Sequence, residues 1–151
     1  MLKIEHNATS FSVYYKNRCI LQHSLSKPCI AVGQGNATYK MKEGNFRLKD
    51  SLESKRYLKK FTVKEEHNAI TIQLEDTIQL TLTADAYCTV GIKATKPFNR
   101  FWLHCVAQSD EHIYGCGEQF SKLDLKKKNM MKVTVLKLLL IKLNLIIQFI
   151  T

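Results

Sequence analysis

The sequence lacks the patterns that mark several common classes of protein. Its five cysteines are odd in number and show no CxxC spacing, so neither a disulfide framework nor a zinc site is indicated. We therefore expect reduced, mostly buried thiols, with no metal and no cofactor. No apolar run near Met1 could serve as a secretory signal, which predicts a cytoplasmic protein.

Acidic residues are absent from the last 26 residues, although six lysines lie there. The formal net charge of +10 would by itself suggest nucleic acid or an anionic membrane as a partner. Because the terminal lysines carry six of these charges, residues 1–125 carry only +4, and we predict no nucleic-acid partner. A chain of 151 residues with 45% hydrophobic content is expected to form one globular domain.

Alternation of apolar and polar residues with period two dominates the body of the chain. It predicts half-buried strands at residues 11–15, 70–74 and 78–82, the last two joined in a hairpin through Glu75-Asp76-Thr77. Further strand candidates are residues 18–23, 29–32, 60–64, 87–93 and 100–107.

Turn-like stretches separate these candidates, at residues 32–36, which include Gly33-Gln34-Gly35, and at residues 42–45. Many short strands with regular turn signals predict an all-β protein, an antiparallel β-sandwich. Only residues 49–59 have the charge density and spacing of a short helix, and a loop is the alternative there.

The last segment, residues 129–151, differs in composition from the body because it contains no glycine, no proline and no acid. We consider three interpretations: a shifted reading frame or mispredicted exon, which we favour, then an amphipathic or sheet-completing segment, and last a membrane span. The span is disfavoured because Lys137 and Lys142, at about +2.5 to +3.5 kcal/mol each, offset the apolar residues around them.

The densest polar constellation runs from residue 110 to residue 124. Gly115 and Gly117 flank Cys116 and allow a tight loop that could present Glu118 and Gln119. A carboxylate beside an amide offers the acceptors and donors that bind sugar hydroxyls, and a neighbouring aromatic ring could stack on a sugar face. The alternative is a glycine-bearing turn between two strands with its glutamate in solvent.

Three stretches carry a resemblance to a known family. They are Asn99-Arg100-Phe101-Trp102-Leu103, then Glu111-His112-Ile113-Tyr114-Gly115-Cys116-Gly117-Glu118-Gln119-Phe120-Ser121, then Asp124-Leu125-Lys126. Together they resemble glycoside hydrolase family 31, in particular its bacterial α-glucosidase branch that includes the sulfoquinovosidases. An earlier stretch, from Lys27-Pro28-Cys29-Ile30 to Asp50, is similar to the same branch in order and spacing, so the resemblance covers roughly residues 10–128. Its longest motif is its most specific part.

The resemblance implies that residues 1–128 are the amino-terminal domain of an α-glycosidase, a β-sandwich with a galactose-mutarotase-like fold. In that family a loop of this domain reaches the active-site mouth of a (β/α)8 barrel. The residues placed in that substrate-pocket loop are Tyr114, Gly115, Gly117, Glu118, Gln119 and Phe120.

No catalytic residue is expected in this chain, since the nucleophile and general acid of the family are aspartates on barrel strands. Retaining hydrolysis needs two carboxyl groups about 5 to 5.5 Å apart across the scissile bond. We therefore expect a truncated domain of a hydrolase that contributes carbohydrate contacts and is inactive alone. The alternatives are a stand-alone carbohydrate-binding β-sandwich and a membrane-anchored interaction module. After Lys126 both the resemblance and the composition change, which sets the predicted boundary between the sandwich and the tail.

Overall fold

The computed structural model describes residues 1–42, 45–106 and 145–149, and these form strands and turns without a helix. The strands are β1 (Leu2–His6), β2 (Ser10–Tyr15), β3 (Arg18–Ser24), β4 (Ile30–Lys42), β5 (Asn45–Tyr57), β6 (Phe61–Glu66), β7 (Ala69–Leu74), β8 (Ile78–Ala84), β9 (Cys88–Ala94), β10 (Arg100–Leu103) and β11 (Leu145–Phe149). The prediction of an all-β protein is confirmed.

The strands form three antiparallel sheets. Two have three strands each, in the orders β1-β2-β3 and β10-β4-β5, and the third has five strands in the order β11-β9-β8-β7-β6. Most neighbours in a sheet are also neighbours in the chain, as expected for strands joined by short turns. An antiparallel bridge between Leu21 and Cys105 links β3 to the segment that follows β10.

The alternation in the sequence corresponds to burial in the structure. Along β7 and β8 every second side chain is fully buried, and the residues between them are partly exposed. The predicted hairpin is present: Leu74 pairs with Ile78, and Glu75 adopts a left-handed φ of 50° in the turn. Period-two alternation therefore predicted both the type and the orientation of these strands.

One buried cluster receives side chains from all three sheets, so the five-stranded sheet packs against the two smaller ones as a β-sandwich. Contacts between layers include an edge-to-face pair of Phe11 and Phe61, with ring centroids 4.9 Å apart. The Tyr15 hydroxyl donates a hydrogen bond of 3.0 Å to the carbonyl oxygen of Ala86. The prediction of an antiparallel β-sandwich is confirmed.

Two predictions about local structure are wrong. Residues 49–59 form neither a helix nor a loop, because residues up to Tyr57 belong to β5 and pair with β4. Residues 32–36 are not a turn but lie inside β4, where Gly33 pairs with Lys55 and Gly35 pairs with Leu52. The glycines indicated a turn locally, but what requires them is the close approach of β5 backbone oxygens, that of Ser54 at Gly33 and that of Ser51 at Gly35.

Part of the atypical tail joins the fold. Residues of β11 pair antiparallel with β9, in a register that sets Leu145, Ile147 and Phe149 opposite Ile92, Val90 and Cys88. For these five residues the structure agrees with the sheet-completing interpretation, while the boundary predicted at residue 128 lies outside the described residues. No helix in the described part of the chain is long and apolar enough to cross a membrane.

Candidate functional site

The residues predicted to line a substrate pocket lie outside the described residues. They are Tyr114, Gly115, Gly117, Glu118, Gln119 and Phe120. The structure does describe the strand that leads to them, β10, together with the chain up to Val106. The described part of the candidate site therefore consists of the contacts that fix the position of β10.

Asn99 attaches the start of β10 to the middle of β4. Its side-chain oxygen accepts a hydrogen bond of 2.9 Å from the backbone N–H of Gly35, and its amide nitrogen donates one of 2.8 Å to the carbonyl of the same glycine. The backbone N–H of Asn99 also donates to the carbonyl of Gly33 at 3.2 Å. The Asn99 side chain thus forms hydrogen bonds with both the N–H and the carbonyl of Gly35, which lies beyond the last β4 residue that pairs with β10.

Arg100, the first residue of β10, is a buried charge with only 2% of its surface exposed. Its guanidinium contacts both carboxylate oxygens of Asp50 on β5, with the Nε to Oδ2 distance at 3.4 Å, and Nη1 donates to the carbonyl of Asn99 at 2.9 Å. The pairing compensates the cost of burying the charge. It also crosses β4, so the ion pair ties the two outer strands of the sheet together.

The Trp102 ring lies against Gly33 of β4. A Cβ atom at Gly33 would meet the Trp102 ring at 3.0 Å and the backbone oxygen of Ser54 at 2.2 Å, so only glycine fits there. The Lys55 ammonium lies 4.7 Å from the centroid of the Trp102 ring and 4.7 Å from that of Tyr57. Through this cation–π arrangement, Lys55 of β5 joins the Trp102 ring of β10 to the Tyr57 ring.

The chain beyond β10 is held by backbone hydrogen bonds. The N–H of His104 donates to the carbonyl of Cys29 at 2.8 Å, and the N–H of Val106 donates to the carbonyl of Ile20 at 3.0 Å. Residues 99–106 therefore contact β3, β4 and β5. The segment that precedes the predicted pocket-loop residues in the sequence is thus held by two sheets.

A second polar cluster lies between the layers, around His23. Its ring stacks on Phe11 with centroids 4.8 Å apart, Nε2 lies 3.0 Å from the carbonyl oxygen of Lys59, and Nδ1 lies 3.4 Å from the backbone nitrogen of Cys29. Since a carbonyl accepts and an N–H donates, these neighbours select the neutral tautomer protonated on Nε2. Burial lowers the pKa of His23 below its ordinary value of 6.5.

Three of the described thiols, Cys19, Cys29 and Cys88, are poor nucleophiles. Burial raises the pKa of Cys29 to about 12 and that of Cys88 to about 11, and it also raises the pKa of Cys19. No group of three or more metal-binding side chains occurs among residues 1–42, 45–106 and 145–149. We assign these cysteines and His23 to the packing of the sandwich.

The charged turn between β7 and β8 also has a structural explanation. The carboxylate of Glu75 accepts from the backbone N–H of Lys59 at 3.0 Å and contacts Arg56, and Arg56 also donates to Thr77 at 3.1 Å. Burial opposes ionisation of Glu75, but these donors keep the pKa of its carboxyl below the ordinary value. The network joins this turn to the end of β5.

Sequence reasoning placed Asn99 to Leu103 in a family motif but missed what these residues do. The pairing of Asp50 with Arg100 joins residues 50 positions apart, and nothing in the local sequence marks it. A signal was nevertheless present: the Gly-x-Gly pair at Gly33 and Gly35 leaves space on one face of a strand, and large side chains from a neighbouring strand fill such space.

Two curated proteins align with most of this chain. The sulfoquinovosidase of Escherichia coli (strain K12) is 35% identical over 133 residues, which cover 83% of this chain and 20% of that enzyme. The sulfoquinovosidase of Agrobacterium fabrum is 30% identical over 125 residues, covering 83% of this chain and 19% of the enzyme. The chain thus spans about one fifth of the length of these relatives, and it matches their amino-terminal part.

A solved structure gives the same result. The chain superposes on a family 31 sulfoquinovosidase from E. rectale, in complex with an aza-sugar inhibitor, with a TM-score of 0.69 and 31% identity, over 82% of this chain and 19% of that one. No family model matches the sequence. Sequence and structure nevertheless agree over the same span, and the chain belongs to glycoside hydrolase family 31, matching the amino-terminal part of the sulfoquinovosidases named above.

Proposed function

We propose that this domain serves a family 31 α-glycosidase by contributing a loop and carbohydrate contacts to its substrate pocket. The observation that carries the proposal is the alignment of 83% of this chain, at 35% identity, with one fifth of a sulfoquinovosidase. A carbohydrate is accordingly the ligand class we assign. An α-glycoside is the specific ligand we expect in the context of the whole enzyme.

The described residues support this role through the way they hold β10. Asn99, Arg100 and Trp102 bind this strand to β4 and β5, and the pocket-loop residues follow a few positions later in the chain. A loop that contacts substrate is most effective when its supporting strand is rigid, because a small displacement of a binding group weakens its contacts. We therefore assign Asn99 and Arg100 as positioning residues for the loop.

The role is one of support and not of bond cleavage. Hydrolysis with retention requires a nucleophile and a general acid on opposite sides of the scissile bond, and the family resemblance places both on a barrel. We expect no hydrolysis of aryl α-glycosides by this chain alone.

A chimeric enzyme tests the proposal. Residues 10–128 of this chain would replace the matching segment of the E. coli sulfoquinovosidase, and hydrolysis of an aryl α-sulfoquinovoside would be measured. We expect activity above that of an enzyme lacking the segment. In the chimera, Glu118→Ala and Gln119→Ala should each lower kcat/KM by about tenfold or more, as the loss of a hydrogen bond to a sugar predicts.

Matched controls separate a pocket role from general damage. Leu52→Ser changes an exposed residue of β5 and should leave kcat/KM unchanged. A folded chimera that is inactive, or one in which Glu118→Ala and Gln119→Ala have no effect, would contradict the proposal. Calorimetric titration of the isolated chain with the same sugar distinguishes the stand-alone binding module, which requires affinity without the barrel.

A further inference from the structure

The two edges of the five-stranded sheet differ in composition. One edge is β6, which among the described strands pairs with β7 alone, and the other is β11, which pairs with β9. Without β11, the second edge would be β9 itself. An edge strand presents a row of backbone N–H and carbonyl groups to which another strand can pair, so its composition decides whether further strands add to it.

Strand β6 carries charges that discourage pairing at its free edge. Lys64, Glu65 and Glu66 end the strand, and all three are exposed. The Lys64 ammonium contacts the Glu66 carboxylate at 2.8 Å, and the Glu65 carboxylate lies 3.7 Å from the imidazole of His6 on β1. A strand that added to β6 would have to displace or bury these charges, which is costly. The sequence of β6 therefore protects this edge.

Strand β9 lacks this protection. Residues 88–92 contain no charged residue and no proline, and the one charge of β9, Lys93, follows this stretch. Cys88, Val90 and Ile92 are at most 1% exposed, so one side of the strand belongs to the core. An uncharged, regular strand with one apolar side is the kind of edge to which a second strand adds readily.

Strand β11 occupies this edge in a register that suits it. Its five residues pair with residues 88–92, with Leu145 opposite Ile92 and Phe149 opposite Cys88. The sequence of β11 is uncharged and, except for Gln148, apolar. Because facing residues in an antiparallel pair share a side of the sheet, the register aligns positions 145, 147 and 149 with the core residues of β9.

We infer that the edge of β9 is an acceptor site for an added strand, and that residues 145–149 occupy it as a cap. The partner that fits this site is an extended, uncharged segment of five residues with apolar residues at alternate positions. The β9 strand of a second copy also meets this description. An uncapped chain therefore associates with other copies edge to edge, and the cap keeps the domain monomeric.

The cap is separable from the rest of the sheet. Among the described residues, β11 pairs with β9 alone, while β9 also pairs along its other side with β8. Loss of β11 thus opens one edge and leaves the other four strands of the sheet paired. This separation gives the inference a local measurement that distinguishes it from a general contribution to stability.

Hydrogen–deuterium exchange of the full 151-residue chain tests the cap. Successive N–H groups of a strand point to opposite sides, so alternate amides of residues 88–92 face β11. We expect these amides to exchange at least about tenfold faster in the double variant Ile146→Pro/Ile147→Pro, because one of two adjacent prolines must remove an N–H from the ladder with β9. The amides of β7 should keep their wild-type rates.

The matched control is Ile146→Val/Ile147→Val, which keeps both N–H groups and should exchange like the wild type. Sedimentation velocity at equal protein concentration should show dimers and larger species for the proline variant, and monomers for the wild type and the control. A peptide of residues 142–151, added to the proline variant, should restore slow exchange and the monomer. A scrambled peptide of the same composition should restore neither.

Three results would overturn the inference. Equal exchange of the alternate β9 amides in the wild type and the proline variant would show that β11 leaves the edge open. Equal acceleration in β7 and β9 would show that β11 supports the whole core and is not a cap. A proline variant that stays monomeric with fast-exchanging β9 amides would show that the open edge recruits no second copy. None of these measurements involves a sugar, so the proposed function does not depend on them.

Discussion

The five-stranded sheet and the ribbon, by which we mean residues 34–42 of β4 and 45–54 of β5, show two ways in which antiparallel strands are stabilised. In β7, β8 and β9 three alternate residues of each strand are buried in the common core. In the ribbon, described residues such as Met41 and Leu52 are exposed, and single residues hold its base. The five-stranded sheet is thus stabilised by many equivalent apolar contacts, and the ribbon by a few specific ones.

This difference predicts where substitutions matter. Burial of a leucine side chain contributes about 1.5 to 3 kcal/mol, whereas an exposed leucine contributes little. In the ribbon, the sensitive positions are the glycines and polar residues that admit or bind β10.

Shortening a core residue of the five-stranded sheet should have the largest effect. Leu80 is fully buried in β8, so Leu80→Ala should lower the free energy of unfolding by about 2 to 5 kcal/mol through lost contacts and a cavity. Urea denaturation followed by circular dichroism measures this change. Leu52→Ala in the ribbon, the same substitution at a half-exposed site, should cost under about 0.5 kcal/mol. Equal costs at the two sites would remove the distinction.

A methyl group at Gly33 should have the next largest effect. Its Cβ would meet the Ser54 backbone oxygen at 2.2 Å, so Gly33→Ala should cost about 1 to 3 kcal/mol by displacing β5 or Trp102. Trp102 is the single tryptophan, and its fluorescence should shift with the displacement. Gly91→Ala in β9 is the matched control, since its nearest neighbour would be 3.5 Å away. An unchanged emission spectrum in Gly33→Ala would argue against the close approach.

The dependence of stability on pH tests the packing between the layers, where His23 contacts Phe61 of the five-stranded sheet. Burial lowers its folded-state pKa below 6.5, so the unfolded chain binds more protons below that pH and the folded state loses stability as pH falls. The slope contributed by one such group is at most about 1.4 kcal/mol per pH unit. Unfolding free energies between pH 7 and pH 5 should show a smaller slope for His23→Gln than for the wild type.

Exposed His67 supplies the control for this measurement. His67→Gln should keep the wild-type slope, because this side chain lies in solvent whether the chain is folded or unfolded. The hypothesis fails if His23→Gln and the wild type lose stability in parallel over this range.

The smallest effect is expected at the tip of the ribbon. Met41 is 80% exposed, so Met41→Lys should change the free energy of unfolding of the monomer by under about 0.5 kcal/mol. Urea denaturation at low protein concentration measures it. A loss of several kcal/mol would show that the tip is covered within the monomer, and the ribbon would then resemble the core sheet.

Sequence reasoning succeeded where one physical signal controlled the outcome. Residues 11–15, 70–74 and 78–82 alternate strictly, and each became a strand with its apolar residues in the core. It failed for β5, because residues 49–57 are stabilised by pairing with β4 and not by burial, and such a segment lacks an apolar period. It missed β1 for a similar reason, since only Ile4 in that strand is buried.

The resemblance predicted the pocket-loop residues, but it did not predict the contacts that hold β10 in place. The residues from Tyr114 to Phe120 stay a prediction, since they lie outside the described residues. The contacts that hold β10 join pairs distant in the chain, Gly35 with Asn99 and Asp50 with Arg100, and no local pattern could reveal these pairs. Such pairs form only when two strands meet in a sheet.

The sequence by itself determined the all-β class, the antiparallel sandwich and the family, because alternation and a long motif are local properties of a chain. Only the tertiary structure decided that Gly33 and Gly35 lie within a strand, that β5 is a strand, and that Leu145–Phe149 pairs with β9. These outcomes depend on which segments meet in space. The free energy that fixes them comes from close approach between strands, which composition and spacing do not encode.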